Sequence, residues 1–170
     1  LIDLQERLCG AIERSKEILP RIKILLEGAK TLGIPVVATE QYPQGLGATL
    51  PELKEILPPD TAFLSKTSFS CFGTEDYRKE LAKMSKGSLV LVGVESHVCV
   101  LQTAIDAASR GYEVYVPEDC VASRRESDQT AALAFMRSSG IHIVTSEMLL
   151  FMLLRDASHP DFKTISKIIR

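Results

Sequence analysis

With 170 residues and a formal net charge of −2, the chain is long enough to bury one core and carries no charge excess that would hold nucleic acid or an anionic membrane. Hydrophobic residues make up 45% and charged residues 25%, ordinary globular usage, and no apolar run approaches the ~20 residues that span a bilayer. The chain opens Leu1-Ile2-Asp3 without a methionine, so residues are expected before it and a removed targeting segment stays open. None of the four cysteines, Cys9, Cys71, Cys99 and Cys120, lies in a CxxC or beside a histidine at ligand spacing. Reduced thiols, a cytoplasmic setting and no metal or other cofactor are expected.

Leu1-Ile2 reads as the end of a strand. From about Lys16 to Leu32, apolar residues recur at helical spacing (Ile18, Ile22, Leu25, Leu26, Ala29), with Gly33 as the cap. Pro20 marks either a first turn or a break between two short helices. Ile34 to Thr39 is a buried strand. Thr49-Leu50-Pro51-Glu52 fits a capping box opening a short helix to about Ile56. Ala62 to Ser65 is a third strand, and Thr74 caps a helix to about Met84.

Ser88 to Gly93 is the strongest strand. It leads into a helix from about His97 to Arg110, with an apolar stripe of Val98, Leu101, Ile105 and Ala108. Glu113 to Val116 is a fifth strand and Ile141 to Val144 a sixth, separated by a helix from Glu126 to Ser138. Ser146 caps an apolar helix through Leu154, and His159-Pro160 precedes a terminal amphipathic helix. Continuous apolar strands separated by helices predict one domain of three-layer doubly wound α/β type. Its mostly parallel six-stranded sheet would have the order 3-2-1-4-5-6. The crevice then lies beyond strands one and four, at Asp3 and Gln5 and at Gly93 to Cys99.

In Gly93-Val94-Glu95-Ser96-His97-Val98-Cys99, a buried strand ends, the chain turns, and Cys99 falls in the first turn of a helix. Free N–H groups and the positive helix end favour a thiolate there and lower the thiol pKa. They also suit a developing oxyanion. An isolated cysteine is more often a small buried apolar residue, but Asp3 and Lys66 close two other strands at the same crevice. Thiol, carboxylate and ammonium converging from three strand ends form a nucleophile, base and orienter for acyl transfer.

These segments resemble isochorismatase-like hydrolases. Leu1-Ile2-Asp3-Leu4-Gln5 is similar to the family's Asp motif, Lys66-Thr67-Ser68-Phe69-Ser70 to its lysine motif, and Gly93 to Val100 to its nucleophile motif. The resemblance extends through Gly33-Ile34-Pro35-Val36, Thr39-Glu40-Gln41-Tyr42-Pro43, and the stretch from Ser146-Glu147-Met148 to His159-Pro160. These last features look most like the small isochorismatase-domain subgroup. The resemblance implies a Cys99–Asp3–Lys66 triad, an oxyanion hole from the backbone N–H groups of Glu95 and Cys99, and a cis peptide at Val94–Glu95. Two departures narrow the activity. Glu40-Gln41-Tyr42 stands where nicotinamidases of the superfamily carry an Asp-x-His metal pair. Cys99 stands where true isochorismate hydrolases lack a cysteine.

Gln41, Tyr42, Phe69 and His97 are candidates for the substrate pocket, each with an ordinary alternative. Tyr42-Pro43 is equally a loop anchor. Phe69 and Phe72 form either an aromatic wall or core packing, and His97 either touches substrate or caps the helix. Cys71 is a rival nucleophile, Cys9 and Cys120 read as structural, and Arg124-Arg125 is a solvated turn or an anion site. The expected function is a metal-independent cysteine hydrolase of a small amide or related C–N bond. The alternative is a catalytically silent binding or scaffold protein. The apolar run from Met148 to Leu154 predicts a homo-oligomer.

Overall fold

The computed structural model describes residues 1–170. In chain order the elements are α1 (Glu6–Ala11), α2 (Ser15–Thr31), β1 (Val37–Gln41), α3 (Pro43–Leu46), α4 (Pro51–Lys54), β2 (Ala62–Lys66), α5 (Glu75–Met84), β3 (Ser88–Val90), β4 (Gly93–Val94), α6 (Leu101–Ser109), β5 (Glu113–Pro117), β6 (Val121–Ala122), α7 (Glu126–Ser138), β7 (His142–Val144), α8 (Ser146–Leu154) and α9 (Phe162–Ile168). All strand pairs are parallel: β1 with β2, β3 with β5, β5 with β7, and β4 with β6. No helix is long and apolar enough to cross a membrane.

The seven strands pair as β1–β2, β3–β5–β7 and β4–β6. The run expected from Ser88 to Gly93 is divided at Leu91-Val92 between β3 and β4. Gly93 has φ 122°, and a Cβ there would lie 2.0 Å from the Ile2 carbonyl oxygen. Only glycine lets these two backbones approach. The first strand is reduced to Ile2, which bridges Thr39 on one side and Gly93 on the other, because Asp3 turns into the left-handed region at φ 53°. Aspartate tolerates that conformation better than most residues.

Helices cover both faces. Core residues of α2, α8 and α9 (Ile22, Leu26, Leu150, Ile165) pack with Val92 and Val94 in one cluster. Those of α5, α6 and α7 (Leu81, Ala104, Met136) pack with Leu91, Val114 and Val116 in a second. The split between Leu91 and Val92 follows from side chains alternating across an extended chain. Helix α2 meets α8 at Gly28, where a Cβ would lie 2.3 Å from Leu150 Cδ2.

Several local expectations are corrected. Pro20 does not break α2. The first turn is tightened by bonds from Lys16 N–H to Glu13 O and Glu17 N–H to Arg14 O, and the helix continues past the ring. Thr49 does not cap α4, because its hydroxyl and N–H both donate to Glu40 Oε1. The cap of α8 is Thr145, whose side chain accepts from Met148 N–H; Ser146 donates to Asp119 instead. The buried face of α6 is Thr103, Ala104 and Ala107, while the expected stripe of Val98, Leu101, Ile105 and Ala108 flanks it, half-buried.

Candidate active site

Three strand ends bring Asp3, Lys66 and Cys99 to one place. Asp3 and Lys66 are buried, at 0% and 3% exposure, and Cys99 at 6%. Lys66 ends β2, and its ammonium lies 2.6 Å from Asp3 Oδ2. Its other acceptors are Gln41 Oε1 at 2.7 Å, Phe69 O at 3.1 Å and Ser68 O at 3.3 Å. An ammonium has three N–H bonds, so this one is fully engaged. Asp3 Oδ1 accepts from the Thr39 hydroxyl at 2.8 Å. Both buried charges are therefore paired and hydrogen-bonded, the condition for keeping them in a core.

The Val94–Glu95 peptide is cis. The nucleophile loop continues as a π-helical turn, Ser96–Val100, before α6. Val100 N–H reaches Glu95 O and Leu101 N–H reaches Ser96 O, each spanning five residues. Such wide turns are rare and concentrate at functional sites. Cys99 lies in this turn, and the Glu95 N–H has no hydrogen-bond partner in the chain.

The thiol does not have the lowered pKa expected from a helix start. Burial pushes Cys99 up to about 12, the Asp3 carboxylate raises it further, and Lys66 opposes both. Asp3 and Lys66 thus act on this thiol in opposite directions. Cys99 therefore rests as the thiol, near the Lys66–Asp3 pair.

The other candidates are distributed around this cluster. Gln41 joins it through its amide oxygen, while its Nε2 donates to Thr67 O at 2.8 Å. Tyr42 is 55% exposed in the left-handed region at φ 36°, with its ring against Gly45. Phe69 is 53% exposed and contributes only its carbonyl to Lys66. Phe72 is core, edge-on to Tyr77 with ring centroids 5.2 Å apart. His97 Nδ1 pairs with Ser123 Oγ at 2.9 Å and its Nε2 lies 3.9 Å from Asp128. Two residues along a helical turn separate His97 from Cys99 by most of a half-circle, so His97 does not join the cluster.

The rival thiol, Cys71, is fully buried and sits 3.8 Å from Thr39 Oγ1. Burial raises its pKa, as it does for Cys9, pushed to about 11, and for Cys120. The Glu95 carboxylate is tied to Arg124, accepting from its N–H at 3.0 Å and Nε at 3.1 Å. No group of three His, Cys, Asp or Glu side chains is placed to hold a metal ion. At the position of the nicotinamidase metal pair, Glu40 is committed to Thr49 and Gln41 to Lys66.

Sequence reasoning missed Thr39. The available signal was its two-residue spacing from Gln41 on a buried strand. Residues i and i+2 share a face, so β1 presents both polar side chains to the Asp3–Lys66 pair.

Fold and site define an α/β protein with parallel strands and a buried carboxylate–ammonium pair beside a thiol. The chain belongs to the isochorismatase family, whose Isochorismatase domain model matches residues 1–148. It is 43% identical over 173 residues to isochorismatase domain-containing protein 2A of Mus musculus, covering 100% of this chain and 81% of that protein. It is 42% identical over 170 residues to isochorismatase domain-containing protein 2 of Xenopus laevis, covering 99% and 81%. Among solved structures, one described as the MAR1 ribonuclease of Caenorhabditis elegans superposes with TM-score 0.93 at 40% identity, covering 99% of this chain and 86% of that one.

Proposed function

We propose that this chain is a metal-independent cysteine hydrolase of a small amide or related C–N bond, with Cys99 as nucleophile, Asp3 as base and Lys66 as supporting cation. The observation that carries the reading is the buried Lys66–Asp3 contact of 2.6 Å beside a thiol on which both groups act. Asp3 takes the Sγ–H proton as sulfur attacks the carbonyl carbon, and the carbonyl π pair becomes an oxyanion facing the backbone N–H groups of Glu95 and Cys99. The C–N bond breaks, and Asp3 returns its proton to the departing amine. Water then attacks the thioester: Asp3 removes one water proton, the C–S bond breaks, and that proton returns to sulfur. The products are a carboxylic acid, an amine and the free thiol. Lys66 stays charged throughout and offsets the negative charge that passes between sulfur and carboxylate.

A high resting thiol pKa suits this cycle, because the proton moves to Asp3 only as the bond to carbon forms. Gln41, Tyr42 and Phe69 border the mouth of the site; His97 is a more distant candidate for substrate contact. A phosphodiester substrate, suggested by the ribonuclease description of the nematode structure, is not favoured by a chain of net charge −2. The strand groups are read as one sheet joined at Ile2, running 62–66, 37–41, Ile2, 88–94, 113–122 and 142–144, the order 3-2-1-4-5-6. The protein is taken to be cytoplasmic and a homo-oligomer, since Met148, Phe151 and Met152 of α8 are 51%, 40% and 48% exposed. The test of the activity is amine or ammonia release from a panel of small amides by the native protein and by Cys99→Ala. Release by the native protein alone supports the reading; equal release by both removes it.

A further inference from the structure

Gln41 has a polar environment too organised for a pocket wall. Its backbone N–H donates to Gln5 Oε1 at 2.7 Å, and its carbonyl accepts from Gln5 Nε2 at 3.0 Å. Gln5 is itself fully buried and also donates to Gly47 O at 2.7 Å. One glutamine amide therefore grips both backbone groups of another as a strand partner would. The side chain of Gln41 is fixed at its far end as well: Nε2 donates to Thr67 O, so Oε1 is the atom that faces Lys66. In the parallel register Gln41 stands directly opposite Lys66. Its 2.7 Å contact with the ammonium is nearly as short as the 2.6 Å contact with Asp3.

We propose that Gln41, clamped by Gln5, is a positioning residue that fixes the Lys66 ammonium between Asp3 and Cys99. This rests on the triad reading above. An ammonium on a flexible four-carbon stem has no preferred direction of its own. Asp3 alone would draw it to one side of the carboxylate. The Gln41 oxygen opposes that pull, and the carbonyls of Ser68 and Phe69 complete the cradle. Without Gln41 the ammonium settles away from sulfur, and the charge that favours the thiolate weakens there.

The experiment is the pH dependence of Cys99 alkylation by iodoacetamide, followed by peptide mass spectrometry so that Cys71 is scored separately. It uses the full chain and needs no substrate. Gln41→Met removes the acceptor; Gln41→Asn keeps the amide but is one methylene too short. Both are expected to move the alkylation profile to higher pH, and labelling at a fixed pH slows about tenfold when the profile moves by a full pH unit. A purely structural role would change the melting temperature without moving the profile. Native-like profiles in both folded variants overturn the proposal. Lys66→Met, run alongside, separates the two levels. If it moves the profile and the Gln41 variants do not, the positioning role fails and the triad stands; if it also leaves the profile in place, the triad reading fails with it.

Discussion

The hydroxyl of Thr39 donates to Oδ1 of Asp3 at 2.8 Å, so the two oxygens of that carboxylate have different partners, Thr39 and Lys66. This division fixes the carboxylate plane. Thr39→Val keeps shape and removes the donor. A hydrogen bond to a charged group contributes about 1.5–3 kcal/mol, and the valine variant should lose stability in that range on urea denaturation. Turnover should fall more than KM rises, because the base is misplaced rather than the substrate. An unchanged urea midpoint would show that the bond does not hold Asp3.

The buried ion pair sets a second expectation. Removing one partner leaves an uncompensated buried charge, at a cost of about 3–5 kcal/mol. Lys66→Met and Asp3→Leu should each show it, and the double variant should recover a large part, since replacing a buried pair by apolar groups is often close to neutral. Strict additivity of the single losses would mean that the two groups do not act as a pair.

The thiols set the alkaline limit. Cys99 is pushed up to about 12 and Cys9 to about 11 by burial, against about 8.5 for a free thiol. Between those values the folded state holds protons that the unfolded state has released, so stability falls as pH rises. Below the unfolded value the contribution is constant. Each group contributes a slope of at most about 1.4 kcal/mol per pH unit. Urea denaturation from about pH 7 to about pH 10.5, a range that starts below the free-thiol value, should show the fall, and Cys99→Ala should make it shallower by one group's share, the other buried thiols keeping theirs. A curve level across that range would contradict the burial of these thiols.

Legibility in the sequence follows periodicity and position. The helix from Glu126 to Ser138 is readable to the residue, because its polar start and the glycine beyond its end are local signals. The places of Asp3, Lys66 and Cys99 in the fold are readable because each closes an apolar strand or lies in the turn that follows one. Thr39 is not, since its role depends on which strand lies beside Asp3. The direction of the thiol pKa is misjudged from sequence, because the helix end is a local feature whereas burial and the Asp3 carboxylate are products of the tertiary fold. Pro20, too, lies inside α2 without ending it, which its low helix propensity does not foretell.

The exposed face of α8 predicts assembly. Met148, Phe151 and Met152 project from a helix whose Leu149, Leu150 and Leu154 are buried. Phe151→Glu combined with Met152→Glu should dissociate the oligomer while leaving the fold intact, as read by sedimentation velocity and far-ultraviolet circular dichroism. A native protein that sediments as a monomer at micromolar concentration would contradict the homo-oligomer.

The central claim is that Cys99 carries the covalent intermediate. The most direct measurement is intact-protein and peptide mass spectrometry after rapid acid quench with a panel of small activated amides and esters. The account predicts an acyl mass on Cys99, formed together with release of the amine or alcohol, and absent in Cys99→Ala. Asp3→Asn should form the adduct far more slowly. An acyl group on Cys71, or undiminished turnover in Cys99→Ala, would contradict it.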